Sequence, residues 1–416
     1  MIVVGGGPAG ASTAFALARA GARVLILDRA RFPRPKPCAE YLSPQASRLL
    51  YEMGALDAIE AAGAAHLAGM VVRAPNGALI RGDFAASHGF PAFRDRGLAL
   101  RRTVLDPILL DVARRAGADV REHRRVADLT RTARGRVGGV RVLDEQGASH
   151  EFRARLVVGA DGLRSVVASR LGLARRRRWP RRLALVAHFE GFADVGAWGE
   201  MHVERGVGYV GFAAVGGGVT NVSLVVPGSA AREVSADRTA FLERWLRERP
   251  QLAPRVAGAT RVSSVMATGP FASQARRAWA PGAALVGDAA DFFDPFTGEG
   301  IYVALRGGEL LAPFALRALA ARSDRDADDA LRDYERARRA EFRDKWTVER
   351  LIGSAIGFAP AINYFGRVLE ARKDMADLLV GVTGDFVPAR EVLRPGYLLN
   401  LFRHPGRRPT HSAPDA

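Results

Sequence analysis

Residues 1–30 read MIVVGGGPAGASTAFALARAGARVLILDRA. Ile2–Val4 is a short apolar run, and Gly5-Gly6-Gly7-Pro8-Ala9-Gly10 follows at once. An alanine-rich helical segment runs from Ala11 to Ala20, and Gly21 stops it. Arg23–Leu27 then reads as a second strand that ends in Asp28 and Arg29. Strand, glycine turn, helix, strand and acid in this order make a dinucleotide-binding unit. Gly5 permits the tight turn, Gly7 lets the backbone approach a pyrophosphate, and Gly10 lets the helix pack close to the strand. Pro8 and Ala9 sit where the helix begins, and a helix N-terminus offers free N–H groups and partial positive charge to phosphates. Asp28 stands 18 residues after Gly10, where a carboxylate accepts from ribose hydroxyls. Taken alone, the unit leaves NAD and FAD both open.

A chain of 416 residues is long enough for two or three domains. Its 48% hydrophobic and 25% charged residues are a globular composition. No run of uncharged apolar residues is long enough for a membrane-spanning helix, and the start lacks the features of a secretory signal. The first strand begins almost at Met1, so the reading expects a slightly shortened start. One cysteine, Cys38, excludes an internal disulfide and a multi-cysteine metal site, and no metal is expected. A reducing, cytoplasmic compartment follows.

The net charge of +17 invites a nucleic-acid reading, but only Lys36, Lys345 and Lys373 are lysines among 61 basic residues. The arginines are spread along the chain, a compositional bias, and no nucleic-acid partner is expected. The exception is Arg175-Arg176-Arg177-Arg178 with Arg181 and Arg182. It is read as a solvated loop, or as a surface for an anionic membrane, an acidic carrier partner or nucleic acid.

Further along, Arg31–Pro44 carries prolines at alternate positions and must be extended. Pro44 suits the first turn of a helix over 45–53. Met70–Ala74 and Ala78–Arg81 flank Asn76-Gly77, a hairpin signal. Leu105, Ile108, Leu109 and Val112 give Val104–Ala116 a helical stripe, with Pro107 in its first turn. Strand-like runs over 183–189, 200–203, 208–215, 219–226 and 262–266 make a second sheet. A helix over 238–249 interrupts them. Ala283–Val286 is a buried strand, and helices follow over 301–320 and 328–351. Residues 352–402 are apolar and helical, interrupted at Pro360, Pro388 and Pro395. This region is read as a helical cap, or as a lid or membrane-facing surface for an apolar substrate.

Two more turns complete the pattern. Gly159-Ala160-Asp161-Gly162-Leu163-Arg164-Ser165 follows one strand. Gly287-Asp288-Ala289-Ala290, with Pro295 and Gly298-Glu299-Gly300-Ile301, follows another. With the first thirty residues, these motifs in this order resemble the flavoprotein superfamily that has the fold of para-hydroxybenzoate hydroxylase. That superfamily also holds the geranylgeranyl reductases and the flavin-dependent halogenases. The resemblance covers about residues 1–345. It implies that the first unit binds the adenosine half of FAD and that Asp161-Gly162 lies near the pyrophosphate. It also implies that Asp288 accepts from the ribityl chain and that the later glycines bring N–H groups to the flavin ring. Arg102, in Arg102-Thr103-Val104-Leu105-Asp106, matches the family's flavin-side arginine with Leu105 in place of an aromatic; Arg101 is the alternative. Lys36-Pro37-Cys38-Ala39-Glu40 looks like the lysine-x-cysteine-glycine segment of the geranylgeranyl reductase branch, with Ala39 in place of glycine. Cys38 is then a thiol lining the cavity near the flavin, or simply a small buried residue. The tryptophan signature of the halogenases is absent.

The expected fold is α/β: a Rossmann-like FAD-binding domain with a discontinuous β-sheet substrate domain and a C-terminal helical region. The FAD-binding domain takes 1–66, 99–175 and 271–345, and the substrate sheet 67–98 and 176–270. The helical region takes 346–402, and 403–416 is a disordered tail. With no second nucleotide unit, the flavin is reduced by NAD(P)H docking transiently or by a separate electron-donor protein. The resemblance implies reduction of carbon–carbon double bonds in an apolar (isoprenoid, lipid or polyketide-like) substrate. Hydroxylation through a flavin hydroperoxide and a non-catalytic flavin-binding protein stay open, as does peripheral contact with the inner face of a membrane.

Overall fold

The computed structural model describes residues 1–86, 88–176, 181–206 and 208–402. In chain order, β1 (Ile2–Val4) leads into α1 (Pro8–Arg19), β2 (Leu25–Leu27) and α2 (Pro44–Glu52). A hairpin of β3 (Gly69–Arg73) and β4 (Leu79–Asp83) precedes α3 (Arg102–Arg115), β5 (Asp119–Arg121), β6 (Val157–Gly159) and α4 (Val166–Arg170). Four long strands follow: β7 (Arg182–Glu190), β8 (Trp198–Glu204), β9 (Gly208–Ala214) and β10 (Val219–Pro227). The chain closes with β11 (Ala283–Leu285), α5 (Gly300–Ala320), α6 (Asp324–Ile356), α7 (Ala359–Ala371), α8 (Lys373–Thr383) and α9 (Pro395–Phe402).

β11, β6, β1, β2 and β5 form a parallel sheet in that order, with Trp279–Ala280 antiparallel on its edge. Strands buried on both faces need no alternation, and Ile2–Val4, Val157–Gly159 and Ala283–Leu285 are buried throughout. α1 starts well because Gly7 is extended and Pro8 brings its φ ready-made. Ser12 Oγ then donates to the Leu305 carbonyl at 2.7 Å, tying α1 to α5. The largest apolar core lies between this sheet and α1, α3 and α5.

The second sheet runs β7, β10, β9, β8, β3, β4, with Thr260–Arg261 at the β7 edge. β3 pairs parallel with β8, Trp198 opposite Gly69, so the early hairpin and the later strands share one sheet. α8 lies directly on β4: a Cβ on Gly82 would stand 2.4 Å from Val380 Cγ2. Fold class and the C-terminal helical region are as expected. α6, however, runs 33 residues without a break across the 345/346 boundary.

Other expectations change. α3 starts at Arg102, because the Arg102 N–H donates to Glu40 Oε1 at 2.8 Å. Pro107 therefore lies beyond the first turn, inside the helix. Val262–Met266 is not a strand. The edge splits into Thr260–Arg261 and Met266–Thr268, since Ser263 Oγ takes the His188 N–H that a ladder carbonyl would have taken. Arg177 and Arg178 of the arginine run, and the tail at 403–416, lie outside the described residues.

Candidate functional site

A cavity of about 1480 Å³ runs from the β1–α1 turn to the C-terminal helices. Gly5, Gly7, Pro8 and Ala9 line its start, with Asp28 and Arg29 at the end of β2. Cys38, Ala39, Arg102, Asp161, Gly162 and Asp288 line its middle. Pro295, Gly298, Glu299, Gly300 and Ile301 line the stretch that leads into α5. Two sequence-selected residues do not reach it. Gly10 is packed so tightly that a Cβ would stand 1.8 Å from the Gly5 carbonyl oxygen. Gly287, with φ +57°, lies against Ala9, 2.9 Å from a Cβ at that position. Both permit contacts between elements. Of the two arginine alternatives, Arg102 is buried in the cavity wall and Arg101 is exposed.

The acids of the glycine turns are already partly engaged. Asp28 accepts from the Gly6 N–H at 2.7 Å and the Ala30 N–H at 2.8 Å, so it holds the turn while facing the cavity. Asp161 accepts from Ser165 Oγ and the Val166 N–H, both at 2.6 Å, which fixes the start of α4. Burial pushes its carboxyl up in spite of these bonds. Asp288 is half-buried, with Lys36 Nζ at 4.0 Å.

Arg34 is a functional candidate outside every motif, and Lys36 opens the cysteine segment without a role assigned to it there. Prolines at 33, 35 and 37 keep the chain extended, and residues 34–40 run along the cavity wall. Both cations line the cavity with Arg102. Arg102 is bound to Asp106 through Nε and Nη2 at 2.6 and 2.8 Å, and Arg34 reaches the same carboxylate at 3.3 Å. Burial lowers the pKa of Lys36; Asp288 raises it, and Arg102 and Arg34 lower it further. Arg34 is lowered too, by burial first, with Asp106 opposing and Arg102 adding. For Arg102, burial is outweighed by Asp106 and Cys38, and its pKa rises. Arg34 and Arg102 share Asp106 while Lys36 lies nearest Asp288, so three cations gather along this wall of the cavity.

A buried polar network stands behind Cys38. Glu40, 2% exposed and at φ +63°, gives Oε1 to the Arg102 N–H. Its Oε2 meets His188 Nε2 at 2.7 Å and Asn221 Nδ2 at 3.0 Å. Asn221 also donates to the Cys38 carbonyl at 2.9 Å, and the Glu40 N–H points to Cys38 Sγ at 3.3 Å. The second sheet thus clamps the cysteine loop from below. The cysteine segment gives Glu40 no role and no motif marks His188, because their pairing spans 148 residues.

At the far side, Glu299 is 4% exposed and lies 3.1 Å from Lys345 Nζ. Lys345 is also paired with Asp385. Glu349, one turn after Lys345 on α6, hydrogen-bonds Glu299 and lines the cavity. Burial and the Glu299 carboxylate push the Glu349 carboxyl up to about 8. Among the described residues, no cluster of His, Cys, Asp and Glu is set to hold a metal ion, and no helix is long and apolar enough to cross a membrane.

This cradle suits FAD. The cavity exceeds the roughly 300–1,000 Å³ usual for small-molecule sites. No side chain caps the N-terminus of α1, and a Cβ on Gly7 would have only the guanidinium tips of Arg34 and Arg102 nearby, at 3.6 and 3.7 Å. Free N–H groups and cations therefore converge where a diphosphate fits. A Cβ on Gly300 would meet nothing within 4 Å, so the backbone there is bare toward the cavity.

Comparison with known proteins agrees. The model of the FAD binding domain family matches residues 1–347. Digeranylgeranylglycerophospholipid reductase 2 of Methanopyrus kandleri is 30% identical over 407 residues, 95% of this chain and 91% of its own. The menaquinone reductase of Mycolicibacterium smegmatis is 30% identical over 323 residues, 75% of each chain. Among solved structures, a myxobacterial chondrochloren halogenase, a variant of the FAD-dependent halogenases, superposes with a TM-score of 0.78. It is 26% identical, and the match covers 87% of this chain and 85% of that one. The chain belongs to the FAD binding domain family and is an FAD-dependent oxidoreductase of the para-hydroxybenzoate hydroxylase-fold superfamily.

Proposed function

We propose that this protein reduces carbon–carbon double bonds in an apolar, prenyl-type lipid. The observation that carries this is continuity. The cavity that begins at the glycine turn ends among Met70, Ile362, Leu369, Leu379, Leu398 and Leu401, apolar side chains of the second sheet and the C-terminal helices. The two reductase relatives are named for lipids, which supports the same substrate class.

In this proposal the first turn of α1, Gly7, Arg34 and Lys36 hold the diphosphate, and Asp28 and Arg29 face the adenosine ribose. Asp161-Gly162 borders the pyrophosphate, Asp288 accepts from the ribityl chain, and the backbone of Gly298–Ile301 faces the ring. Bound FAD, once reduced by NAD(P)H or by an electron-donor protein, supplies hydride. The chain itself positions the double bond, and the apolar helices keep water from it. Arg102 and Cys38, held by the Glu40 network, form the wall between cofactor and substrate.

Entry from a membrane surface fits the exposed side chains. Leu351, Phe358, Leu399 and Phe402 are 54–67% exposed on α6 and its successors, and Leu351 and Phe402 also line the cavity. We place the enzyme in the cytoplasm, touching the inner face of a membrane without crossing it.

The rival reading is hydroxylation, in which oxygen meets the reduced enzyme and the substrate gains an oxygen atom. One experiment separates the two. The holoenzyme is reduced with dithionite without oxygen, and digeranylgeranylglycerophospholipid in detergent is added. Return of the yellow colour with a saturated product is expected. Colour that returns only with oxygen, with an oxygenated product, overturns the proposal.

A further inference from the structure

Glu299 and Glu349 come from different parts of the chain. Glu299 lies in the turn before α5, between Gly298 and Gly300, and Glu349 projects from α6. Their carboxyls meet in the cavity wall. Each carboxylate disfavours ionisation of the other, and burial adds to this, so the Glu349 carboxyl is pushed up. Lys345 bears on the pair, but it is shared between Glu299 and Asp385. Asp294 adds negative charge near Glu349, although Arg182 at 2.7 Å and Tyr209 Oη at 2.5 Å hold it. Tyr41 lies beside Glu299 and stays a neutral phenol. Neighbouring α6 residues on the cavity are apolar: Trp346, Val348, Ile352 and Ala355. Glu349 thus sits in an apolar wall with its carboxyl pushed toward the protonated form, next to backbone proposed to face the flavin.

We propose that the Glu299–Glu349 pair is the proton donor of the reduction, with Glu349 the residue that gives the proton up. This rests on the double-bond reduction proposed above. Hydride from reduced FAD brings two electrons and one hydrogen to one carbon. The Glu349 O–H bond breaks and its proton goes to the adjacent carbon, so the π bond becomes two C–H bonds. The pair, left as two carboxylates beside Lys345, recovers a proton from water once product leaves. An ordinary glutamate, near 4.5, is ionised at neutral pH and carries no proton to give. An acid that titrates close to the working pH is both loaded and willing to transfer.

The test uses holoenzyme. In infrared difference spectra of wild type against Glu349→Gln, a protonated-carboxyl C=O band is expected at neutral pH. It should fade as pH rises through about 8. In Glu299→Gln, which keeps Glu349 but removes the adjacent charge, the band should fade at lower pH; a purely structural role leaves it unmoved. Reoxidation of pre-reduced enzyme by the lipid should slow by about 10²-fold or more in Glu349→Gln, with FAD content unchanged. A wild-type rate in Glu349→Gln, or no such band, overturns the assignment. If the wild type reduces no prenyl lipid, the substrate proposal fails and the donor role with it. The band then still reports whether Glu349 holds a proton.

Discussion

Gly10 and Gly300 separate two uses of glycine. A methyl group on Gly10 collides with the Gly5 carbonyl at 1.8 Å, backbone against backbone, and neither side can give way cheaply. Overpacking of this kind costs about 1–3 kcal/mol or more. Gly10→Ala should lower both the melting temperature of the apoprotein and the flavin content of the purified holoprotein. On Gly300 the methyl meets nothing, so Gly300→Ala should leave apoprotein melting intact or slightly raised while FAD binds more weakly. Lys36 gives a third outcome. Its folded-state pKa is lowered, so folding disfavours its charge, and Lys36→Gln should not destabilise the apoprotein. It removes a charged donor worth about 1.5–3 kcal/mol, so FAD affinity measured by fluorescence should fall by about tenfold or more. The glycine turns were legible because a tight turn restricts residue type locally. Glu40 was not: its role depends on a partner in the second sheet, and one buried glutamate in an extended loop has no local signature.

At the scale of elements, β8 is held to the short helix Ala253–Val256 by Glu200. Arg255 donates to both carboxylate oxygens, at 2.7 and 2.9 Å, and His202 Nε2 lies at 3.1 Å. Burial opposes ionisation of Glu200, but the His202 and Arg255 hydrogen bonds outweigh it and hold the carboxyl near 2. A depressed carboxylate stabilises the fold above its unfolded value and loses that contribution as pH falls through its folded value. The urea midpoint of the wild type should therefore drop between pH 4.5 and about 2. Glu200→Gln should start lower near neutral pH and show a flatter slope across that window; an unchanged slope would assign the acid sensitivity elsewhere. Strand and helix identities were readable from periodicity, as in β7–β10 and α5. Ends and interruptions were not. Arg102 starts α3 early by bonding Glu40, and Ser263 breaks an edge strand with its hydroxyl. In both places a side chain replaces a backbone partner.

For the whole molecule, the strongest consequence concerns where substrate enters. The net charge is +17. The exposed Phe358 and Leu399 stand beside a cavity lined by their own helices, yet neither lines it. Moving one such side chain from water into an apolar medium contributes about 1.5–3 kcal/mol. Partial burial of two in a bilayer surface is then enough for a tenfold change in partitioning. Phe358→Ser with Leu399→Ser should lower flotation with anionic vesicles by about tenfold or more. The same variant should reduce a short prenyl alcohol in detergent at the wild-type rate, because no cavity wall has changed. Added salt should weaken vesicle binding of both proteins by screening the basic surface. Equal flotation of variant and wild type would remove the C-terminal helices as the membrane-facing side. Lost turnover on the soluble alcohol would show instead that these side chains support the cavity from outside.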